Sequence, residues 1–211
     1  MIKLYYNPYR LDSISNDLII DDLLDFVNKS DANKAYVIVC NGKLKYCNSN
    51  HLGSTLRCKT CKILSKNSTK NYIDNDRITT IEIDEFISKN NLDFKYSSLE
   101  DIKKIEYNSI NIGMGVVSLF VSNYRSLDPV LNLTLRKYFD NQLNMNVSLI
   151  HGLIKITEKF KIDEFVIFNG RFSELRTIFN FSRKYNYNIE CLEFISPDNP
   201  NKIKSVKYLN S

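Results

Sequence analysis

Apolar residues along the chain recur with the spacings of both strands and helices. The run AYVIVC (35–40) is short, apolar and β-rich, which is typical of a central strand buried on both faces. RITTIEI (77–83) alternates apolar and polar residues like a strand, whereas SNDLIIDDLLDFVNKS (15–30) shows helical spacing. Because the two kinds of element alternate along the chain, the pattern predicts an α/β protein.

The longest periodic segment covers residues 128–161. Its apolar residues recur every three or four positions along one helical face: Leu131, Leu135, Phe139, Leu143, Val147, Ile150 and Ile154. This spacing predicts a core-packed helix, or a helical hairpin with a break near DNQLNMN (140–146). Shorter helices are predicted for DEFISKNN (84–91) and SSLEDIKKIEY (97–107).

The clearest unit lies near the end of the chain. A strand (164–168), a polar turn, a helix (about 172–185) and a second strand (189–194) follow one another. Strands joined through such a helix run parallel. We therefore expect a Rossmann-like parallel sheet with flanking helices, built as a single domain over 1–211, with a Cys-rich basic insertion at 41–72. A loop (196–205) and a last short strand (206–211) complete the prediction.

The positive charge of the chain is concentrated in one segment. Net charge is +5, yet the stretch 32–73 holds eight Lys or Arg residues and no Asp or Glu. The remainder then carries 21 basic and 24 acidic residues. Such a segment attracts phosphates, anionic sugars, nucleic acid or an acidic membrane surface, although a solvated lysine-rich loop would have the same composition.

The chain lacks an apolar run of transmembrane length, and its first residues lack the features of a signal peptide. We therefore expect a cytoplasmic protein, in which thiols stay reduced.

Four cysteines fall within the basic segment. Cys40, Cys47, Cys58 and Cys61 are separated by six, ten and two residues. Four thiolates suit tetrahedral zinc, and C-x-x-C is a common half-site, so a structural zinc ion is one interpretation. His51 could replace one thiol. The alternatives are unligated thiols, a disulfide or an iron–sulfur cluster. Nearby cations would lower the thiol pKa values.

A second candidate site is the turn FNGRFSELR (168–176). It follows a parallel strand and precedes a helix, where ligands of open α/β sheets bind. Gly170 permits close backbone approach, Arg171 offers a planar fork for phosphate or carboxylate, and Asn169 can cap the helix or bind a hydroxyl. A routine turn with a surface arginine is the alternative.

Three other residues carry side chains that could take part in chemistry. Cys191 in the last βαβ strand reads as a packed apolar residue, and His151 borders the apolar face of the long helix, where a hydrogen-bonded structural role is favoured. Glu193 is predicted to lie at the same sheet edge as Arg171. It could bind a hydroxyl or act as an acid or base, or it could simply pair with Arg171.

The Cys-rich segment VIVCNGKLKYCNSNHLGSTLRCKTC, the glycine-containing segment NIGMGVVSLFVSNYRS (111–126) and FVIFNGRFSELRTIFNFSRKYNYNIECLEF carry a resemblance to a known family. Together they resemble bacterial capsule or lipopolysaccharide glycosyltransferases over roughly residues 35–195. The matching positions are Cys40, Gly42, Cys47, Gly53, Cys58, Cys61, the FNGR turn, Arg176 and Glu193.

The resemblance implies a GT-B-type enzyme with two Rossmann-like domains, of which this chain corresponds to the amino-terminal, acceptor-side one. A nucleotide sugar or an anionic glycan acceptor would be its ligand, bound through Asn169, Gly170, Arg171, Arg176 and Glu193. The donor-binding domain is then expected in a partner chain or a longer gene product, and catalysis by these 211 residues alone is in question.

Two other functions are compatible with the sequence. A non-catalytic module could bind nucleic acid or another anionic partner through the basic segment. The segment offers few aromatic residues for base stacking, so nucleic acid is the less favoured ligand. A small α/β regulatory or partner-binding protein is the third reading.

Overall fold

The computed structural model describes residues 1–7, 13–69, 72, 75–194 and 203–208. The described chain forms a six-stranded sheet in the order β3-β2-β1-β6-β7-β8, in which every neighbouring pair is parallel except β7 and β8. The strands are β1 (Ile2–Tyr6), β2 (Lys34–Val39), β3 (Ile78–Glu82), β6 (Glu164–Phe168), β7 (Asn188–Phe194) and β8 (Ile203–Tyr208); β4 (Glu106–Tyr107) and β5 (Ile110–Asn111) form a separate hairpin. The predicted Rossmann-like α/β class is confirmed.

The described helices are α1 (Ser13–Asn28), α2 (Thr55–Thr69), α3 (Leu99–Lys103), α4 (Gly113–Tyr124), α5 (Leu133–Lys159) and α6 (Ser173–Lys184). α5 is continuous, so a break near 140–146 is not seen, and it begins at Leu133 behind the cap of Asn132, whose side chain accepts from the Leu135 N–H. The short helix predicted for 84–91 is wrong: only a single 3-10 turn forms, at Ile83–Glu85.

Each face of the sheet has its own apolar core. α1 covers one face, where Leu23 and Val27 pack with Tyr5, Val37 and Val166. The other face carries a larger cluster built with α4, α5 and α6. Alternate residues of one strand enter opposite cores, as the pleat requires.

The strand β1 was not anticipated from sequence, although it lies in the middle of the sheet. The sequence IKLYY carries a lysine, a residue type that is almost never fully buried unless it is paired. Lys3 is nevertheless buried, and its ammonium lies 2.7 Å from Glu190 and 3.3 Å from Glu164. Paired charges can be buried where a lone one cannot, so the adjacent strands make this residue acceptable.

The Cys-rich basic segment forms the connection between the parallel strands β2 and β3. It contains a 3-10 turn at Asn48–Asn50 and the helix α2. What the sequence suggested as an insertion thus includes the crossover helix itself. Residues 196–202 of the predicted loop lie outside the described residues, and 203–205 belong to β8 instead. The last strand, predicted for 206–211, is found as β8 and begins three residues earlier.

Candidate functional site

The FNGR turn lies at the carboxyl end of β6, as predicted. Asn169 and Gly170 both have positive φ, at 67° and 68°. A Cβ on Gly170 would lie 3.1 Å from the Cys191 Sγ, so the glycine is required by both conformation and space. The Arg171 Nε donates to the Asn169 Oδ1 at 2.7 Å, and the rest of this guanidinium is exposed. The turn therefore presents an oriented cation at the edge of the sheet.

Arg176 and Glu193 flank this turn. The Arg176 guanidinium lies over the Phe179 ring at 5.0 Å, and its buried Nε has no hydrogen-bond partner among the described residues. Burial raises the pKa of the Cys191 thiol to about 12. The charges of Glu193 and Arg176 are close enough to act on this thiol as well. No ion pair joins Glu193 to Arg171 in the described part of the chain. The FNGR turn, Arg176, Cys191 and Glu193 thus lie close together at one edge of the sheet.

The Cys-rich segment docks on the amino-terminal end of α6, immediately after the FNGR turn. The backbone N–H of Asn48 donates to both carboxyl oxygens of Glu174, at 2.8 and 3.0 Å. Gln142 supports the same contact, because its amide donates to the His51 carbonyl and accepts from the Ser173 hydroxyl at 2.8 Å. Two motifs separated by 126 residues in sequence are therefore in direct contact.

The groups at this junction are buried. Glu174, Ser173 and Gln142 have no exposed surface. Burial raises the pKa of the Glu174 carboxyl to about 8, against the opposing effect of the Asn48 N–H. Tyr6, the last residue of β1, is buried beside them; burial raises its pKa, and Glu174, Cys47 and Cys40 raise it further.

The junction lies where the strand order reverses between β1 and β6. In open α/β sheets this switch point usually leaves a crevice for the ligand. Here Tyr6, Cys47 and Glu174 occupy it. Sequence analysis missed Glu174 and Tyr6, because a glutamate at the start of a helix and a tyrosine at the end of a strand are common there for local reasons alone.

All five cysteines are free thiols. Cys40, Cys58 and Cys61 all lie near enough to Cys47 to add to its raised pKa, whose main cause is burial. Burial also raises the pKa of Cys40 to about 12, with Asp84 second. The expectation that nearby cations would lower the thiol pKa values is wrong for these two, because desolvation of a buried thiolate costs more than exposed lysines return.

Cys40, Cys47, Cys58 and Cys61 lie close together, but their arrangement is not that of a metal site. Among the described residues, no three His, Cys, Asp or Glu side chains are arranged to hold a metal ion. The Cys58 Sγ instead accepts from the Asn50 amide at 3.1 Å. His51 contacts the rings of Tyr124 and Tyr138, and burial lowers its pKa. Structural zinc stays a prediction, which metal analysis of protein purified without added metal would test.

His151 and Cys191 both have contacts typical of structural residues. The Nε2 of His151 is 2.8 Å from the Tyr107 hydroxyl, which agrees with the predicted structural histidine. Cys191 is buried in the larger core, as predicted.

A cavity of about 340 Å³ opens at the docked segment, and its lining residues do not include the FNGR turn. Its walls come from the loop after β2, the loop after β3 and the middle of α5. Apolar and polar side chains both line it: Leu44, Tyr46, Ile87 and Met145 with Lys43, Lys45, Lys89, Asn90, Asn141 and Ser148. A concave, largely apolar wall with a few polar groups is typical of a small-molecule site.

The charges around this cavity are positive and largely unpaired. Lys45 and Lys89 are exposed and form no ion pair within the described ranges, and Asn141 makes no side-chain hydrogen bond there. The Asp84 carboxylate is occupied by the backbone N–H groups of Asn41 and Lys43, at 2.7 and 2.9 Å. It fixes the loop that carries Lys43 and Lys45. The cavity can therefore accept an anionic group together with hydroxyls and an apolar ring face.

No protein-family model matches the chain, and no curated protein sequence matches it. Solved structures of Leishmania major tyrosyl-tRNA synthetase show a distant likeness. The cubic and triclinic tyrosinol complexes have TM-scores of 0.42 and 0.44 at 11% and 13% identity, and the fisetin complex has 0.41 at 12%. Each alignment covers 87% of this chain and 24–30% of the synthetase chain. Likeness at this level indicates neither a shared ligand nor a shared reaction.

Proposed function

We propose that this chain is the acceptor-side domain of a glycosyltransferase of surface-polysaccharide synthesis, or a one-domain relative, and that it binds an anionic glycan. One observation carries the proposal: the Cys-rich segment docks on α6 through Asn48 and Glu174. The two motifs on which the family resemblance rests therefore build one surface at the carboxyl edge of the sheet.

The chemistry of this surface suits an acidic saccharide. Arg171 at the turn and Lys45 and Lys89 at the cavity supply cations, while Asn141 and Tyr46 supply an amide and a ring. A glycan with carboxylate or phosphate groups presents both hydroxyls and apolar ring faces. In this proposal the turn and the cavity bind separate parts of the glycan.

Transfer of a sugar requires stabilisation of a departing nucleoside diphosphate and of a cationic sugar in the transition state. In this proposal Arg171 and Arg176 bind phosphate or carboxylate groups, Asn169 and the Gly170 backbone position them, and Glu193 binds a hydroxyl. A second Rossmann-like domain, in a partner chain or the same gene product, would bind the nucleotide sugar. The proposed location is the cytoplasm.

Calorimetric titration of a soluble oligogalacturonate, with a maltooligosaccharide as the neutral counterpart, tests the proposal. We expect saturable binding of the acidic sugar, and a loss of affinity of about tenfold, or ~1.4 kcal/mol, in both Arg171→Ala and the pair Lys45→Ala with Lys89→Ala. Arg183→Ala is the matched control, since Arg183 is an exposed arginine at the other end of α6.

Equal affinity in all variants would show that neither the turn nor the cavity binds the glycan. UDP-glucose titrated in the same way reports on donor binding. The competing function, nucleic-acid binding, predicts instead a tight complex with a single-stranded oligonucleotide that weakens steeply with salt. Tyr36 packs on Phe160 at 4.9 Å and Tyr72 is buried, which leaves little aromatic surface for stacking bases in this segment.

A further inference from the structure

The helix α2 directs its largest apolar side chains toward solvent. Leu56 is 75% exposed and Ile63 is 64% exposed, and Leu52 in the turn before the helix is 66% exposed. Cys58 and Cys61 are half-buried and Ser65 is buried. A crossover helix ordinarily packs its apolar side against the sheet. α2 does the reverse, and it has few contacts with the other described helices and strands.

The angular positions on α2 make this arrangement regular. With 3.6 residues per turn, Leu56 and Ile63 point within about 20° of each other. On the same wheel, Cys58, Cys61 and Ser65 lie on the opposite side. Leu56 and Ile63 form an apolar strip. Lys59 lies beside this strip, and Arg57 and Lys62 lie on its two flanks. The helix is thus amphipathic, with its apolar strip bordered by cations and facing outward.

The charge around the strip has a single sign. No Asp or Glu occurs between residues 32 and 73. Arg57, Lys59 and Lys62 are exposed and form no ion pair with any residue that the structure describes. Exposed cations attract anionic groups, so a surface that is apolar below and negative at its boundary is complementary to this face.

We propose that the outer face of α2, formed by Leu52, Leu56, Ile63, Arg57, Lys59 and Lys62, docks on an anionic phospholipid surface. Leucine and isoleucine enter the boundary between headgroups and acyl chains, while the lysines and the arginine remain at the phosphate level. No helix among the described residues is long and apolar enough to cross a membrane. The helix therefore lies along the surface, and its inner side keeps the Cys-rich segment in place.

Sedimentation with vesicles tests the proposal. The probes are vesicles of phosphatidylcholine alone and vesicles of phosphatidylcholine with about 30% phosphatidylglycerol, which mimic a negatively charged leaflet. We expect binding to the anionic vesicles only. Both Leu56→Ser with Ile63→Ser and Lys59→Glu with Lys62→Glu should weaken binding by about tenfold or more.

The matched control replaces Lys155 and Lys161, two exposed lysines on and after the carboxyl-terminal part of α5, by glutamate. This pair makes the same charge change and should leave vesicle binding within about twofold of wild type. Because all the substituted side chains are exposed, the thermal unfolding midpoint should stay near that of wild type, which circular dichroism checks.

Three results would overturn the proposal. The protein could sediment with neither vesicle, or the Leu56→Ser, Ile63→Ser variant could bind as wild type. The third is a dimer in the absence of lipid, seen by analytical ultracentrifugation, that the same variant abolishes; the face would then belong to a second copy of the chain. Vesicles carry no glycan, so failure here leaves the proposed glycan binding unaffected.

Discussion

Glu174 is the second residue of α6, a position at which a carboxylate usually faces solvent and complements the helix dipole. Here it is fully buried and accepts the Asn48 N–H with both oxygens. Burial removes its hydration, and the backbone N–H groups that it accepts from offset this loss only in part, so the protonated form is favoured and the pKa rises to about 8. The docking of the Cys-rich segment is thereby linked to pH.

Glu174→Gln should change how stability depends on pH. The folded-state pKa of about 8 exceeds the ordinary glutamate pKa of 4.5, so the folded protein holds this proton more tightly than the unfolded chain does. The resulting stabilisation is complete below the unfolded pKa and is lost as pH rises toward 8, by up to about 1.4 kcal/mol per pH unit. Glutamine does not titrate, so the variant should lack this decline.

Urea unfolding between pH 5 and 8, at about one-unit intervals, measures the difference in slope. Glu158→Gln, at an exposed position on α5, should keep the wild-type slope. Wild type and Glu174→Gln curves that run parallel over this range would show that the carboxyl is ionised in the folded protein.

At the scale of elements, the site depends on how closely α4 approaches α6. A Cβ on Gly115 would lie 2.7 Å from the Arg176 Cβ and from the Ser173 carbonyl oxygen. Only glycine lets the backbone of α4 approach the first turn of α6, which carries Ser173 and Glu174. The glycine in NIGMGVVSLF was part of the family resemblance, and the contact supplies a physical reason for it.

Gly115→Ala should therefore destabilise the protein, although alanine is the better helix former. The gain in helix propensity is about 1 kcal/mol, while overpacking against backbone costs about 1–3 kcal/mol, so a net loss of up to about 2 kcal/mol is expected. Gly152→Ala in α5 is the comparison, because its closest neighbour is a side-chain atom, the Ile87 Cγ2 at 2.7 Å, rather than backbone, so a smaller loss is expected. Equal thermal midpoints for the two variants would contradict the assigned contact.

Across the whole molecule, a ladder of charges spans four strands of the sheet. Lys3 of β1 pairs with Glu164 of β6 and Glu190 of β7, and Lys207 of β8 lies 3.4 Å from Glu190. The three inner groups are almost fully buried. Interaction with Glu190 and Glu164 raises the pKa of Lys3 despite the opposing effect of burial. The ladder favours this strand order, because each charge would be costly without its neighbours.

Lys3→Met should destabilise the protein by about 3–5 kcal/mol, since it leaves two buried carboxylates facing one half-exposed lysine. Lys34→Met, at an exposed position at the start of β2, should change stability by less than about 0.5 kcal/mol. Chemical unfolding at pH 7 measures both. An unchanged midpoint for Lys3→Met would rule out the ladder.

The sequence alone was sufficient for the type of most long elements, because periodicity reports which residues a strand or helix buries. The βαβ unit from Glu164 to Phe194, the long helix α5 and the α/β class followed from it. So did the position of the FNGR turn at a strand end, since order along the chain places it there. The basic character of residues 32–73 is likewise a property of composition.

Tertiary structure decided what depends on neighbours distant in sequence. The central place of β1 required the partners of Lys3, and the burial of Glu174 required Asn48 from the other half of the chain. The outward direction of Leu56 and Ile63 accompanies the burial of Ser65 and the partial burial of Cys58 and Cys61 on the opposite side of α2. Periodicity shows that a helix has two different sides, but only packing selects which side turns inward, and here it left the apolar strip at the surface.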